Sequence, residues 1–106
     1  MFSVVRSLSH VKVAHVGSTA ILGCDSTDVV NLVWEFYSTS YHLESVIVYE
    51  HPDVVYGLKS RYSVSRNNLS INNVQLCDAG TYLCTLISGD HLGFVDFQVI
   101  VLGKQY

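Results

Sequence analysis

An all-β fold of two packed sheets is the class that three features of this 106-residue chain predict. Apolar residues recur with period 2 in short runs, the alternation expected of strands with one buried face. No stretch carries the 3.6-residue spacing of an amphipathic helix. The runs lie at roughly 2–6, 10–15, 18–24, 31–37, 45–50, 54–57, 61–65, 69–74, 80–87 and 94–102, each broken from the next by turn residues. Alternation of this kind marks a sandwich or a barrel, and ten such runs at this spacing suit a sandwich.

Length and composition bound the rest. A chain of this size has room for one core and no second one. Apolar residues make up 49%, which excludes disorder on composition, and there is no low-complexity segment or internal repeat. Charged residues make up only 14%, against roughly 25% in an average soluble domain. Two readings fit that shortfall: a weakly charged face built for contact, or long strands rich in Thr, Ser and Tyr. The formal net charge is −3 and the basic residues are scattered, so neither nucleic acid nor an anionic membrane is an expected partner. No apolar run approaches the ~20 residues of a membrane span. The N-terminus, MFSVVRSLSH, has too short an apolar core for a signal peptide. Any signal peptide, stalk or anchor is therefore expected outside this sequence.

Three segments define the predicted core. In STAILGC (18–24), Ala20, Leu22 and Cys24 share a face. In NLVWEF (31–36), Leu32, Trp34 and Phe36 share one, with Val33 and Glu35 on the other. In GTYLCTL (80–86), Tyr82, Cys84 and Leu86 line up together. A Cys face, a Trp face and a second Cys face can close on one another as a single core.

These residues carry a resemblance. Cys24, Trp34 ten positions later, Leu69 and Asp78-x-Gly80-x-Tyr82-x-Cys84, together with Arg61-Tyr62-Ser63-Val64-Ser65, resemble the variable (V-set) type of the immunoglobulin superfamily over almost the whole chain. The resemblance implies a two-sheet antiparallel sandwich with Greek-key connections, formed by one V-set domain over 1–106 with 103–106 starting a linker or stalk. It implies a disulfide between Cys24 and Cys84 across the sheets, with Trp34 packed on it and Tyr82 at the tyrosine corner. It also implies an ion pair between Arg61 and Asp78. Closing a loop of about 60 residues is worth roughly 4 kcal/mol in the chain-entropy model. Such a bridge belongs to an oxidising compartment, hence an extracellular domain. Between Trp34 and Leu69 there is room for strand C′ (45–50) and a C″ segment near 54–57, which constant-type domains lack.

Two departures narrow the resemblance. Gly93-Phe94-Val95-Asp96 does not supply the Phe-Gly-x-Gly bulge of rearranged antigen receptors. Trp34-Glu35-Phe36-Tyr37 likewise replaces their Trp-Tyr-x-Gln pattern. The chain looks most like innate or co-signalling receptors and ligands: butyrophilin-like and costimulatory ligands, T-cell co-receptor chains, fish immune-type receptors. Its expected setting is the ectodomain of a single-pass cell-surface protein, or a secreted form of one, with any membrane attachment outside this sequence.

Function is expected in binding and not in catalysis. No G-x-S-x-G elbow or comparable nucleophile context occurs. The histidines at 10, 15, 42, 51 and 91 have no metal-ligand spacing. No catalytic residue, metal or cofactor is expected, and these histidines read as solvated surface groups, with 42, 51 and 91 as alternative contact positions. If Trp34 and Cys84 point inward, Val33, Glu35, Tyr37, Leu83 and Thr85 point outward, joined by Phe94, Asp96 and Gln98 and by Val46 and Tyr49 from C′, where a bulge would change the phase. The resemblance implies that this face meets a protein counter-receptor or ligand, or a second copy as a homodimer; a neighbouring domain of the same chain is the alternative cover. The rival reading is an antigen-receptor-type or soluble V domain that takes a small or lipid ligand at the loop end, through Asp25–Asn31, His51–Val55 and Ser88–Leu92, with Asp90 and His91 as contacts. Asn68-Leu69-Ser70 is the one glycosylation sequon, at the start of strand E on the opposite sheet. Cys77 is the odd cysteine, read as an interchain disulfide or a free thiol.

Overall fold

A computed structural model describes residues 3–6, 10–24, 31–38, 46–50, 53–55 and 60–103, with backbone alone for residues 3–6, 53, 88 and 91. Its strands are β1 (Ser3–Arg6), β2 (His10–His15), β3 (Ala20–Leu22), β4 (Asn31–Ser38), β5 (Val46–Glu50), β6 (Asp53–Val54), β7 (Tyr62–Ser65), β8 (Asn68–Ile71), β9 (Gly80–Ser88) and β10 (His91–Leu102). A 3₁₀ turn, Leu76–Asp78, precedes β9.

The strands form two sheets. The larger runs β1-β10-β9-β4-β5-β6, with β2 also paired to β10; the smaller runs β3-β8-β7. Pairing is antiparallel throughout except at one edge, where β1 and β2 both run parallel to β10. Parallel neighbours need a long crossover. Here nearly the whole chain is that crossover, since its first and last strands lie side by side.

Between the sheets lie Ala20, Leu22, Leu32, Trp34, Val48, Leu69, Ile71, Val74, Tyr82, Phe97 and Val99, all buried, closed over by half-buried Phe36, Leu86 and Val95. Cys24 and Cys84 form a disulfide across them, Cα–Cα 6.6 Å, spanning 60 residues of sequence. Phe97 packs on Trp34 at 5.8 Å between ring centroids, and Phe36 stacks on Tyr82 at 4.5 Å. Offset aromatic pairs of this kind add to the burial that drives the two sheets together.

Side chains also fasten one sheet to the other. The turn between β7 and β8 has Arg66 and Asn67 both at positive φ (51° and 70°), the dihedral sign of a type I′ hairpin turn. From this turn the Asn67 carbonyl accepts the Trp34 indole N–H at 3.3 Å, and Asn68 Oδ1 accepts the Cys24 amide at 3.2 Å. At the opposite end, the buried Asp78 carboxylate accepts from Arg61 Nη2 and, at 2.7 Å, from the Gln75 amide. The Tyr82 hydroxyl donates to the Asp78 carbonyl at 2.9 Å. Burial pushes the Tyr62 and Tyr82 phenols up, and that is the leading cause for both.

Gly80 opens β9 at φ +152°. A Cβ there would stand 2.2 Å from the Tyr37 carbonyl oxygen and 2.9 Å from Phe36 Cε1. Only glycine lets β9 come this close to β4.

Candidate functional site: the outer face of the large sheet

The side of β4, β9 and β10 turned away from the core is organised by register. Val33 pairs with Thr85 and Thr85 with Phe94, giving one row across the face. Glu35, Leu83 and Asp96 form the next row, and Tyr37, Thr81 and Gln98 the third. Within the third row the Thr81 hydroxyl donates to Gln98 Oε1 at 2.8 Å. The Tyr37 hydroxyl donates to Glu35 Oε2 at 3.5 Å. Tyr37 is exposed, while Val33, Glu35, Leu83, Thr85, Phe94 and Asp96 are half-buried by their neighbours in the same sheet.

Strand β5 departs from expectation. Trp34 pairs with Tyr49, but Glu35 pairs with Ile47, so the register slips by one residue at Val48. A β-bulge of this kind lets two consecutive residues turn inward. Val48 and Tyr49 are both buried, Tyr49 to 7% exposure, so Tyr49 is a core residue and not part of the outer face. Val46 pairs with the inward-facing Phe36 and is nevertheless exposed, which sets it at the rim. The outer-face positions of β5 fall instead to Ile47, opposite Glu35, and Glu50, opposite Val33; both are exposed. The bulge-dependent phase was the one warning in the sequence.

The loop end is shorter than the sequence implied. Strands β9 and β10 extend to Ser88 and from His91, leaving Gly89-Asp90 as a two-residue turn. Gly89 has φ +60° and Asp90 does not, the type II′ sign pattern. Asp90 is exposed. His91 opens β10, and its side chain lies outside the described residues. So do 25–30, most of the first candidate loop, 51–52 at the start of the second, and the histidines at 42 and 51.

The remaining positions fall away from this face. Asn68 opens β8 in the small sheet, half-buried, with its Oδ1 engaged by Cys24. Cys77 is a free thiol, exposed on the 3₁₀ turn. Arg61 and Asp78 pair below the core, and Tyr82 and Trp34 lie inside it. Among the described residues no group of three or more His, Cys, Asp or Glu could hold a metal ion. No helix among them is long and apolar enough to cross a membrane.

Comparison with known proteins bears on this arrangement. The family model for the immunoglobulin domain matches residues 11–92. No curated protein sequence matches the chain. Among solved structures, 1661 chains match, so the architecture is common and by itself names no ligand. One of them belongs to a structure on the basis of T cell specificity and activation by the bacterial superantigen toxic shock syndrome toxin-1. It superposes with a TM-score of 0.69 over 87% of this chain and 92% of its own length, at 14% identity, a likeness of fold alone. With the Cys24–Cys84 bridge, the buried Trp34 and a family match over most of its length, the chain belongs to the immunoglobulin domain family.

Proposed function

We propose that this is a V-set domain acting as the extracellular protein-binding module of a cell-surface immune receptor or co-signalling ligand. It recognises a protein partner through the outer face of β4, β5, β9 and β10. The observation that carries the reading is the makeup of that face. Tyr37 and Ile47 are exposed on it, and Val33, Leu83 and Phe94 are half-exposed beside them. Apolar and aromatic groups gathered on a flat sheet are what protein interfaces use as anchors. The additional strands β5 and β6, between Trp34 and β7, favour the V type because they widen this same sheet. The Cys24–Cys84 bridge favours an oxidising compartment, and with it the cell surface. A single-pass anchor outside this sequence completes the reading.

The loop-end reading is disfavoured by the Gly89-Asp90 turn, which is too short to wall a pocket. The test is a panel of Tyr37→Ala, Leu83→Arg and Asp90→Ala domains, multimerised and applied to arrayed cell-surface ectodomains. Loss of a wild-type signal in the first two with retention in the third supports the sheet face. Loss in Asp90→Ala alone moves the site to the loops.

A further inference from the structure

The formal charge of the large sheet is one-sided. Strands β4, β5, β6, β9 and β10 hold four of the nine acidic residues, Glu35, Glu50, Asp53 and Asp96, and no Lys or Arg. All six basic residues lie elsewhere in the sequence. Arg61 and Arg66 flank β7 of the small sheet, while Arg6 and Lys12 belong to β1 and β2, beyond β10. Arg6 stands opposite Phe94, with β10 and β9 between its strand and β4. Lys59 and Lys104 fall outside the described residues.

Three of the four acids sit on the outer face among its apolar groups. Glu35 shares a row with Ile47, Leu83 and Asp96. Exposed Glu50 stands opposite Val33, diagonal to Glu35; diagonal neighbours of this kind are roughly 7–8 Å apart. Asp96 is two strands away in the other direction, about 10 Å. The exposed Tyr37 places its hydroxyl 3.5 Å from Glu35 Oε2, so the ring borders that carboxylate.

We propose that the occupant of this face is a protein with a basic contact surface, which sets an arginine against Glu35 and Glu50 and flanks it with apolar side chains over Ile47 and Leu83. The inference rests on the reading of the sheet face as the docking surface and adds the charge and chemistry of what docks. Two separate features select this occupant: the apolar groups make the face a contact surface, and the sign of its charge chooses the partner. A neutral or acidic partner would take the carboxylates out of water with nothing to offset the loss. A basic one offsets it and is steered onto the sheet by the same charge. Arginine suits the site better than lysine. Its planar guanidinium meets a carboxylate through two N–H donors and lies flat on an aromatic ring such as that of Tyr37. A second copy of this chain is disfavoured here, because a twofold contact would set Glu35 and Glu50 against their own kind.

The probe is a blocked pentapeptide, GRLRG, with GELEG as its acidic counterpart. Each is titrated into the isotope-labelled Cys77→Ser domain, with amide shifts followed by NMR at about 0.05 M and about 0.5 M NaCl, where exposed charges are screened. GRLRG at low salt should shift amides at 33–37, 47–50 and 83–85, several-fold less at high salt, and GELEG should leave them in place. The double variant Glu35→Gln, Glu50→Gln should lose the response and Asp90→Asn should keep it, with circular dichroism confirming both folds. No response, one that GELEG reproduces, one that survives the double variant, or one confined to other surfaces overturns the inference. The ectodomain array separates this failure from that of the underlying reading. If Tyr37→Ala and Leu83→Arg abolish binding while the double variant binds as wild type does, the docking face stands and the basic partner falls. Loss in Asp90→Ala alone, or no wild-type signal, overturns both.

Discussion

Gly80→Ala probes the contact that holds β9 against β4. The new methyl carbon would lie 2.2 Å from the Tyr37 carbonyl oxygen, 2.9 Å from Phe36 Cε1 and 3.1 Å from Ser38 Cα. Two of these three neighbours are backbone, so a rotamer change cannot relieve the clash. The chain must either move β9 away from β4 or abandon φ +152°, where a residue with a Cβ is strained. Holding such a dihedral costs about 1–3 kcal/mol, and forcing atoms into a packed site costs about 1–3 kcal/mol more. The sum, about 4 kcal/mol, is a large share of the roughly 5–15 kcal/mol that stabilises a domain. Urea unfolding followed by the fluorescence of the single tryptophan, Trp34, reads it directly. With an m-value of about 2 kcal/mol per M, the midpoint should fall by about 2 M. A loss below about 1 kcal/mol would refute the reasoning, because the sheet would then have room where the backbone leaves none.

Three further outcomes follow from particular contacts. Burial raises the Tyr62 and Tyr82 phenols, so above pH ~10 the unfolded chain releases protons that the folded chain keeps. Stability should fall as pH rises past that point, by up to ~1.4 kcal/mol per pH unit for each tyrosine; urea midpoints from pH 8 to 11.5 should show the decline, shallower in Tyr62→Phe, and a flat profile contradicts it. Asp78→Ala removes the acceptor of both Arg61 Nη2 and the Gln75 amide and should cost about 3 kcal/mol by urea unfolding, with a loss under 1 kcal/mol contradicting the role of the pair. The folded domain should react with one equivalent of a thiol reagent, at Cys77, and with none in Cys77→Ser; zero or three equivalents in the wild type contradicts the cysteine assignment.

Much of this architecture is legible in the residues because a two-residue period leaves little freedom. Every predicted run overlaps an observed strand, the 54–57 run at Val54 alone, and the inward set of Leu32, Trp34, Tyr82 and Cys84 follows from alternation alone. Alternation fails where the register slips. The bulge opposite Trp34 and Glu35 turns Tyr49 inward and Ile47 outward, and nothing in SVIVYE marks which residue is the extra one. The two-residue turn at Gly89-Asp90 is tighter than the 88–92 loop read from the sequence because β10 begins at His91, three residues before Phe94. The bonds from Asn67 and Asn68 to Trp34 and Cys24 span 33 and 44 residues, beyond the reach of any local pattern. The exposed valines of β2 looked like half of an ordinary alternating strand. Only the parallel pairing with β10 shows them beside Ile100 and Leu102.

The account rests most heavily on the outer sheet face as the partner's docking surface. Hydroxyl-radical footprinting of the domain, alone and bound to an ectodomain recovered from the array, reads that surface side chain by side chain. The expected result is protection of Tyr37, Ile47, Leu83 and Phe94 on binding, with oxidation of Arg66 and Asp90 unchanged. Protection confined to Arg66, Asp90 and the neighbouring turns, with Tyr37 and Ile47 as reactive as in the free domain, contradicts it.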